Sequence, residues 1–148
     1  MNIWHEGFAS RGPDEIGSCV LLYCRKLAVA GIIELNVYSD SCGGQNRNKK
    51  IALLWLHICH KFEFEKITHT FLVSGHSYLP NDADFGVVER SKPKSSEIFC
   101  LDQWCKHIEA CCKKNPFRVQ VITADELFTT ESHLVNCNVR KFSGCGEK

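Results

Sequence analysis

The sequence predicts an α/β fold, because segments with helical and strand periodicity alternate along the chain. Three helix-type segments, in which apolar residues recur every three or four positions, are each followed by a shorter strand-type segment. This alternation is typical of helices packed against a sheet. The length of 148 residues suits one domain with one core.

The first helix and the first strand have the clearest patterns. Pro13 suits the first turn of a helix, because its missing N–H has no intrahelical partner there. Apolar residues over 16–27 follow the spacing of one buried helical face, and Gly31 is a natural stop. Apolar and polar residues then alternate over 33–38, which predicts a strand that ends at Asp40.

The rest of the chain repeats this order. The predicted elements are a helix from about residue 48 to 62, a strand at 67–74, a short helix at 82–90, a helix at 101–112 and a strand at 117–122. The pattern weakens after Thr123, which predicts a domain over 1–123 and a partly flexible C-terminal extension over 124–148. Three strands make a small sheet, so we expect a longer ancestor in which further strands precede Met1.

Charge and composition narrow the function classes. The formal net charge of +1 gives no whole-chain support for nucleic-acid binding, which would have to depend on a local patch. No apolar run approaches the roughly 18 residues of a membrane span, and residues 2–15 do not resemble a signal peptide. We therefore expect a nuclear or cytoplasmic protein, neither secreted nor membrane-bound. Its ten cysteines contain no Cys-x-x-Cys pair, which disfavours a zinc ribbon. Because no secretory signal is seen, we expect these thiols to be reduced.

Four carboxylates are candidate catalytic and metal-binding residues. Asp40 follows the first strand, Asp82 and Asp84 follow the second, and Glu15 lies in the first turn of the first helix. Open α/β sheets build their sites at the carboxyl ends of strands. Hard cations such as Mg²⁺ take a few carboxylates together with water and substrate phosphate. The sequence therefore predicts a divalent-cation site at this edge of the sheet.

Each of these residues also has a structural interpretation. Asp40 can cap the turn that follows it, Asp82 can be a helix cap, and Glu15 can favour the helix dipole. His76 comes just after the second strand and can act as a metal ligand or a general base, or can be a hydrogen-bonded histidine in a turn.

A polar cluster at the start of the second helix is a candidate nucleic-acid contact. It consists of Gln45, Asn46, Arg47 and Asn48, and two lysines follow it. Helix N-termini attract phosphate, and an arginine strengthens that attraction. The alternative is ordinary turn and capping chemistry.

The chain resembles a domain family that is abundant in transposon-rich animal genomes, because four motifs of the chain occur in the same order in that family. These motifs lie at residues 4–6, 11–19, 38–48 and 75–86. The family itself resembles a transposase or integrase core with the ribonuclease H-like fold. The resemblance covers about residues 4–122 and implies a ribonuclease H-like mixed sheet flanked by helices, lacking its first strands.

The resemblance also implies roles for the candidate residues. Glu15 would be the helix carboxylate, Asp40 the carboxylate of the fourth strand, and Asp82 or Asp84 the late carboxylate, with no counterpart of the first-strand aspartate. Bound Mg²⁺ or Mn²⁺ would support cleavage or joining of phosphodiester bonds, and His76 would position a water or a phosphate. Because one carboxylate has no counterpart, we expect weak activity or none.

Two other functions remain open. The chain could be a non-catalytic remnant of a transposable element that binds nucleic acid or a partner protein. It could also be a metallophosphoesterase-like hydrolase, as the Gly75-His76 pair suggests. Such enzymes use several histidines at strand ends, whereas the other histidines of this chain lie mostly on predicted helices.

Overall fold

A computed structural model describes residues 1–73, 79–92, 98 and 100–129 of the chain. These residues form helices and short strands in alternation, as the sequence predicts. The elements are β1 Asn2–Ile3, α1 Pro13–Val29, β2 Glu34–Ser39, α2 Lys49–Phe62, β3 Lys66–Phe71, α3 Pro80–Ser91, α4 Leu101–Ala110, β4 Gln120–Val121 and a 3-10 turn at Ala124–Glu126. The α/β class is confirmed.

The central strand pair is parallel. β2 pairs with β3 in a register that runs from Glu34 opposite Lys66 to Ser39 opposite Phe71. Helix α2 connects the two strands, and a crossover helix of this kind brings both strands into the same direction. Their carboxyl ends therefore lie side by side, which is where the sequence predicts a site.

The second strand pair differs from the sequence-based expectation. β1 pairs with β4, also in parallel, so that Ile3 lies opposite Val121. Among the described residues the strands thus form two separate parallel pairs, where the resemblance predicted one mixed sheet. The sequence did not indicate β1, because two residues are too few to show an alternating pattern.

The core lies between α1, α2 and one face of the β2–β3 pair. Its buried members include Leu21 and Cys24 from α1 and Leu54 and Ile58 from α2. A side chain at Gly17 would place its Cβ 3.0 Å from a methyl group of Leu54, so the two helices approach closely at this glycine. Burying the apolar faces of both helices in this way stabilises the fold.

The chain beyond residue 123 also contacts this core. Phe128 packs against it, and the Phe128 N–H donates to the Ser18 hydroxyl over 3.1 Å. Ser18 is fully buried on α1. The C-terminal segment is therefore held to the domain at Phe128, and the part of the predicted extension beyond residue 129 lies outside the described residues. No helix in the described part of the chain is long and apolar enough to cross a membrane.

Candidate functional site

The carboxyl ends of β2 and β3 are joined by hydrogen bonds. The Leu72 N–H donates to the carbonyl of Ser39 over 2.8 Å, and the Ser41 hydroxyl donates to the carbonyl of Leu72 over 2.9 Å. These bonds fix the point at which the chain leaves β2. Asp40 lies at this point and is exposed to solvent.

The loop after β2 is tightly wound. The Cys42 carbonyl accepts bonds from the backbone N–H groups of Gln45, Asn46 and Arg47, at 3.2, 2.8 and 3.0 Å. One oxygen of Asp40 accepts from the Cys42 N–H at 3.3 Å and from the Asn46 side-chain amide at 2.6 Å. Asp40 thus caps the turn, and its other oxygen can still take a ligand.

Glu15 has a similar local role at the start of α1. One carboxylate oxygen accepts from both the N–H and the hydroxyl of Ser10, and the other accepts from the Gly12 N–H at 2.9 Å. Partial burial raises the pKa of Glu15, but hydrogen bonds from its own backbone, from Ser10 and from Gly12 outweigh burial and lower the pKa.

Two side-chain contacts bring the Glu15 region next to the loop after β2. The Gln45 amide donates to the Arg11 carbonyl over 3.2 Å, and Arg11 lies between the two residues that Glu15 binds. Lys50 of α2 forms an ion pair with Asp14 of α1 at 3.0 Å. The start of α1, where Glu15 lies, is therefore next to the loop that follows Asp40, although each carboxylate binds groups of its own segment.

The remaining candidates lie on and before α3. One oxygen of Asp82 accepts from the Leu79 N–H over 2.9 Å, so that Asp82 caps α3. Asp84 is half-buried on the same helix. His76 lies outside the described residues. Within the described ranges, no three histidine, cysteine, aspartate or glutamate side chains form a group suited to a metal ion. The divalent-cation site therefore stays a prediction made from the sequence.

A groove that sequence analysis missed lies between the start of α2 and the end of β3. It has a volume of about 390 Å³. We call it the α2 groove and define two sides, a loop side formed by residues 46–49 and an aromatic side formed by Trp55, His69 and Phe71. Three of the four residues predicted to contact nucleic acid thus line one groove, and the fourth, Gln45, lies outside it.

The loop side is positively charged. Arg47 and Lys49 are exposed, and neither forms an ion pair within the described part of the chain. The Arg47 guanidinium lies 5.7 Å from the centre of the Phe71 ring. Asn48 is the N-cap of α2, since its side-chain oxygen accepts from the Ile51 N–H over 3.0 Å. The capping interpretation is therefore right for Asn48, and the cationic residues stay available to a ligand.

The aromatic side is held by a chain of hydrogen bonds. The Trp55 indole donates to Nδ1 of His69 over 3.0 Å. Because an indole N–H can only donate, Nδ1 carries no proton, and Nε2–H donates to the Ser39 hydroxyl over 2.9 Å. That hydroxyl donates to the Asp40 carbonyl over 2.9 Å. Burial lowers the pKa of His69, which also favours the neutral ring.

A larger cleft of about 890 Å³ lies beside the start of α1. Its walls include Trp4, Arg11, Gln45, Phe85 and Trp104. The cleft is built from segments far apart in sequence, so no local pattern predicted it.

A protein-family model matches most of the chain. A family model described as Domain of unknown function (DUF7869) matches residues 25–145. The chain belongs to the DUF7869 family. No curated protein and no solved structure matches it. The DUF7869 match includes Asp40 and the whole α2 groove, whereas Glu15 precedes it. It also crosses residue 123, where the sequence predicts a domain boundary.

Proposed function

We propose that this DUF7869 domain binds nucleic acid through the α2 groove and is a ribonuclease H-like module of transposable-element origin. The observation that carries the proposal is a groove that presents an aromatic ring beside two cations, Arg47 and Lys49, neither of which forms an ion pair with any other described residue.

Local charge favours a phosphate ligand on the loop side. Helix α2 has no acidic residue in its first turn, so its N-terminal partial positive charge is not neutralised there. Arg47 and Lys49 add two full charges at the same place. Lys50 contributes less, because it is paired with Asp14. A chain with a net charge of +1 can bind a polyanion only through such a local concentration of charge.

The order of elements supports the ribonuclease H-like part of the proposal. Helix α1 precedes β2, α2 connects β2 to the parallel strand β3, and Asp40 follows β2. In this arrangement Asp40 takes the position that the resemblance assigns to the carboxylate of the fourth strand. Two of the four motifs that carry the resemblance, at residues 38–48 and 75–86, lie within the DUF7869 match.

Metal-dependent cleavage or strand transfer is the second candidate function. It is favoured by the position of Asp40, whose carboxylate binds the side chain of Asn46 and so adjoins the loop side of the groove. Mg²⁺ or Mn²⁺ held by this carboxylate could share a phosphate oxygen of the ligand, since such ions keep several water or phosphate ligands. Glu15, Asp82 and Asp84 are the other carboxylates proposed to take part.

Fluorescence anisotropy with labelled oligonucleotides tests the binding proposal. We expect Arg47→Gln combined with Lys49→Gln to weaken binding roughly tenfold at 0.1 M salt. If each cation neutralises one phosphate, the slope of log affinity against log salt becomes shallower by about 1.4 on a single strand. Lys61→Gln, at the opposite end of α2, is the matched control.

Two results would overturn this function. One is binding by the double variant that equals wild type in affinity and in salt slope. The other is the absence of any oligonucleotide binding by wild type. Cleavage is tested separately with Mg²⁺ and Mn²⁺, and activity that survives Asp40→Asn would remove the metal-dependent candidate.

A further inference from the structure

We infer that the aromatic side of the α2 groove stacks an unpaired base, so that the ligand of this domain is single-stranded nucleic acid. This inference rests on the proposed function, because it specifies which form of nucleic acid the groove accepts.

Phe71 supplies the stacking surface. It is the last residue of β3 and is 37% exposed, beside the cationic loop. The Arg47 guanidinium lies over its ring at 5.7 Å, so the ring is already within reach of a charged, planar group. A base that stacks on Phe71 takes the place of this guanidinium, and Arg47 then contacts the neighbouring phosphate.

The rings behind Phe71 form a rigid support. His69 lies 4.2 Å from Phe71 between ring centres, and Trp55 lies 5.6 Å from His69. The indole N–H and both imidazole nitrogens are already used in hydrogen bonds within the protein. These rings therefore offer a ligand their apolar faces and no free donor, which suits stacking on any base. Because the support is held in place beforehand, little side-chain freedom is lost on binding.

The combination of the two sides distinguishes single strands from duplexes. A phosphate-binding surface for duplex DNA needs cations but no exposed ring, because duplex bases are stacked on each other and hide their faces. In the α2 groove the ring and the cations line the same space of about 390 Å³. An unpaired nucleotide can occupy both sides at once, with its base on Phe71 and its phosphate near Arg47 and Lys49.

The test compares the affinity of the protein for three labelled ligands. They are a single-stranded thymidine 12-mer, a hairpin duplex, and a 12-mer whose central nucleotides lack their bases. We expect Phe71→Leu to weaken binding of the single strand by about 5- to 140-fold, which corresponds to the loss of one stacked base. Duplex binding should change less than twofold. Tyr38→Leu is the matched control, since Tyr38 is 59% exposed on β2 and alternates with the inward-facing positions.

The abasic strand makes the test independent of protein variants. Wild type should bind it more weakly than the intact strand by a factor similar to the Phe71→Leu loss, and Phe71→Leu should bind both strands alike. Equal binding of intact and abasic strands, or an equal loss on duplex and single strand, would overturn the inference while nucleic-acid binding still stood. If wild type binds none of these ligands, the proposed function itself fails.

Discussion

Replacing Glu15 by glutamine separates its capping role from a catalytic one. The carboxylate accepts three hydrogen bonds, two on one oxygen and one on the other. Glutamine offers a single carbonyl oxygen, so it can keep the bonds from Ser10 or the bond from Gly12, but it cannot keep both sets. The loss of part of a helix cap costs about 1 kcal/mol. For a domain of this size we expect the melting temperature to fall by about 4 °C.

The pH dependence of this loss gives a second readout. Because the pKa of Glu15 is lowered in the folded protein, its contribution is complete above the unfolded pKa of about 4.3 and is lost as the pH falls through the folded pKa. The difference in unfolding free energy between wild type and Glu15→Gln should therefore be constant from pH 6 to 8 and shrink below about pH 4.3.

Urea unfolding monitored by circular dichroism measures this difference, with Glu65→Gln as the control at an exposed glutamate. Unchanged stability at pH 7 would refute the assignment of Glu15 as a cap. If Glu15→Gln also abolished a metal-dependent activity without lowering stability, a catalytic role would replace the capping one.

Three further predictions concern the aromatic network and the packing of the C-terminal segment. Trp55→Phe should raise the pKa of His69 in an NMR titration, because it removes a donor that only the neutral ring accepts, whereas Trp104→Phe should not. The contribution of His69 to the unfolding free energy should be constant above about pH 6.5 and fall below it, because burial lowers the pKa of His69 in the folded protein; His69→Gln should weaken the pH dependence in this range. Ser18→Ala should cost about 1–2 kcal/mol in urea unfolding, because the Phe128 N–H loses its acceptor, and an unchanged midpoint would contradict that contact.

Local patterns were enough to predict the main elements. The start of α1 at Pro13, the N-cap of α2 at Asn48 and the end of β2 just before Asp40 all depend on residues within a few positions of one another. The capping interpretations of Asp40, Asp82 and Glu15 could be stated in advance for the same reason. Each carboxylate binds a group that lies at most six residues away.

The α2 groove could not be predicted, because it depends on contacts between separate elements. Trp55 falls in the predicted helix at 48–62 and His69 in the predicted strand at 67–74, but the bond between them exists only because α2 packs on β3 with one particular face and at one particular position along the strand. The contact of Arg47 with Phe71 likewise joins a loop to the end of another strand. The pairing of β1 with β4 spans almost the whole described chain.

Backbone and indole NMR shifts measured during titration with a single-stranded oligonucleotide test the central claim most directly. We predict that the largest changes occur at residues 46–49, at Phe71 and at the Trp55 indole N–H, and that they diminish as salt is added. Changes confined to the cleft lined by Trp4 and Trp104, or no changes at all, would contradict nucleic-acid binding at the α2 groove.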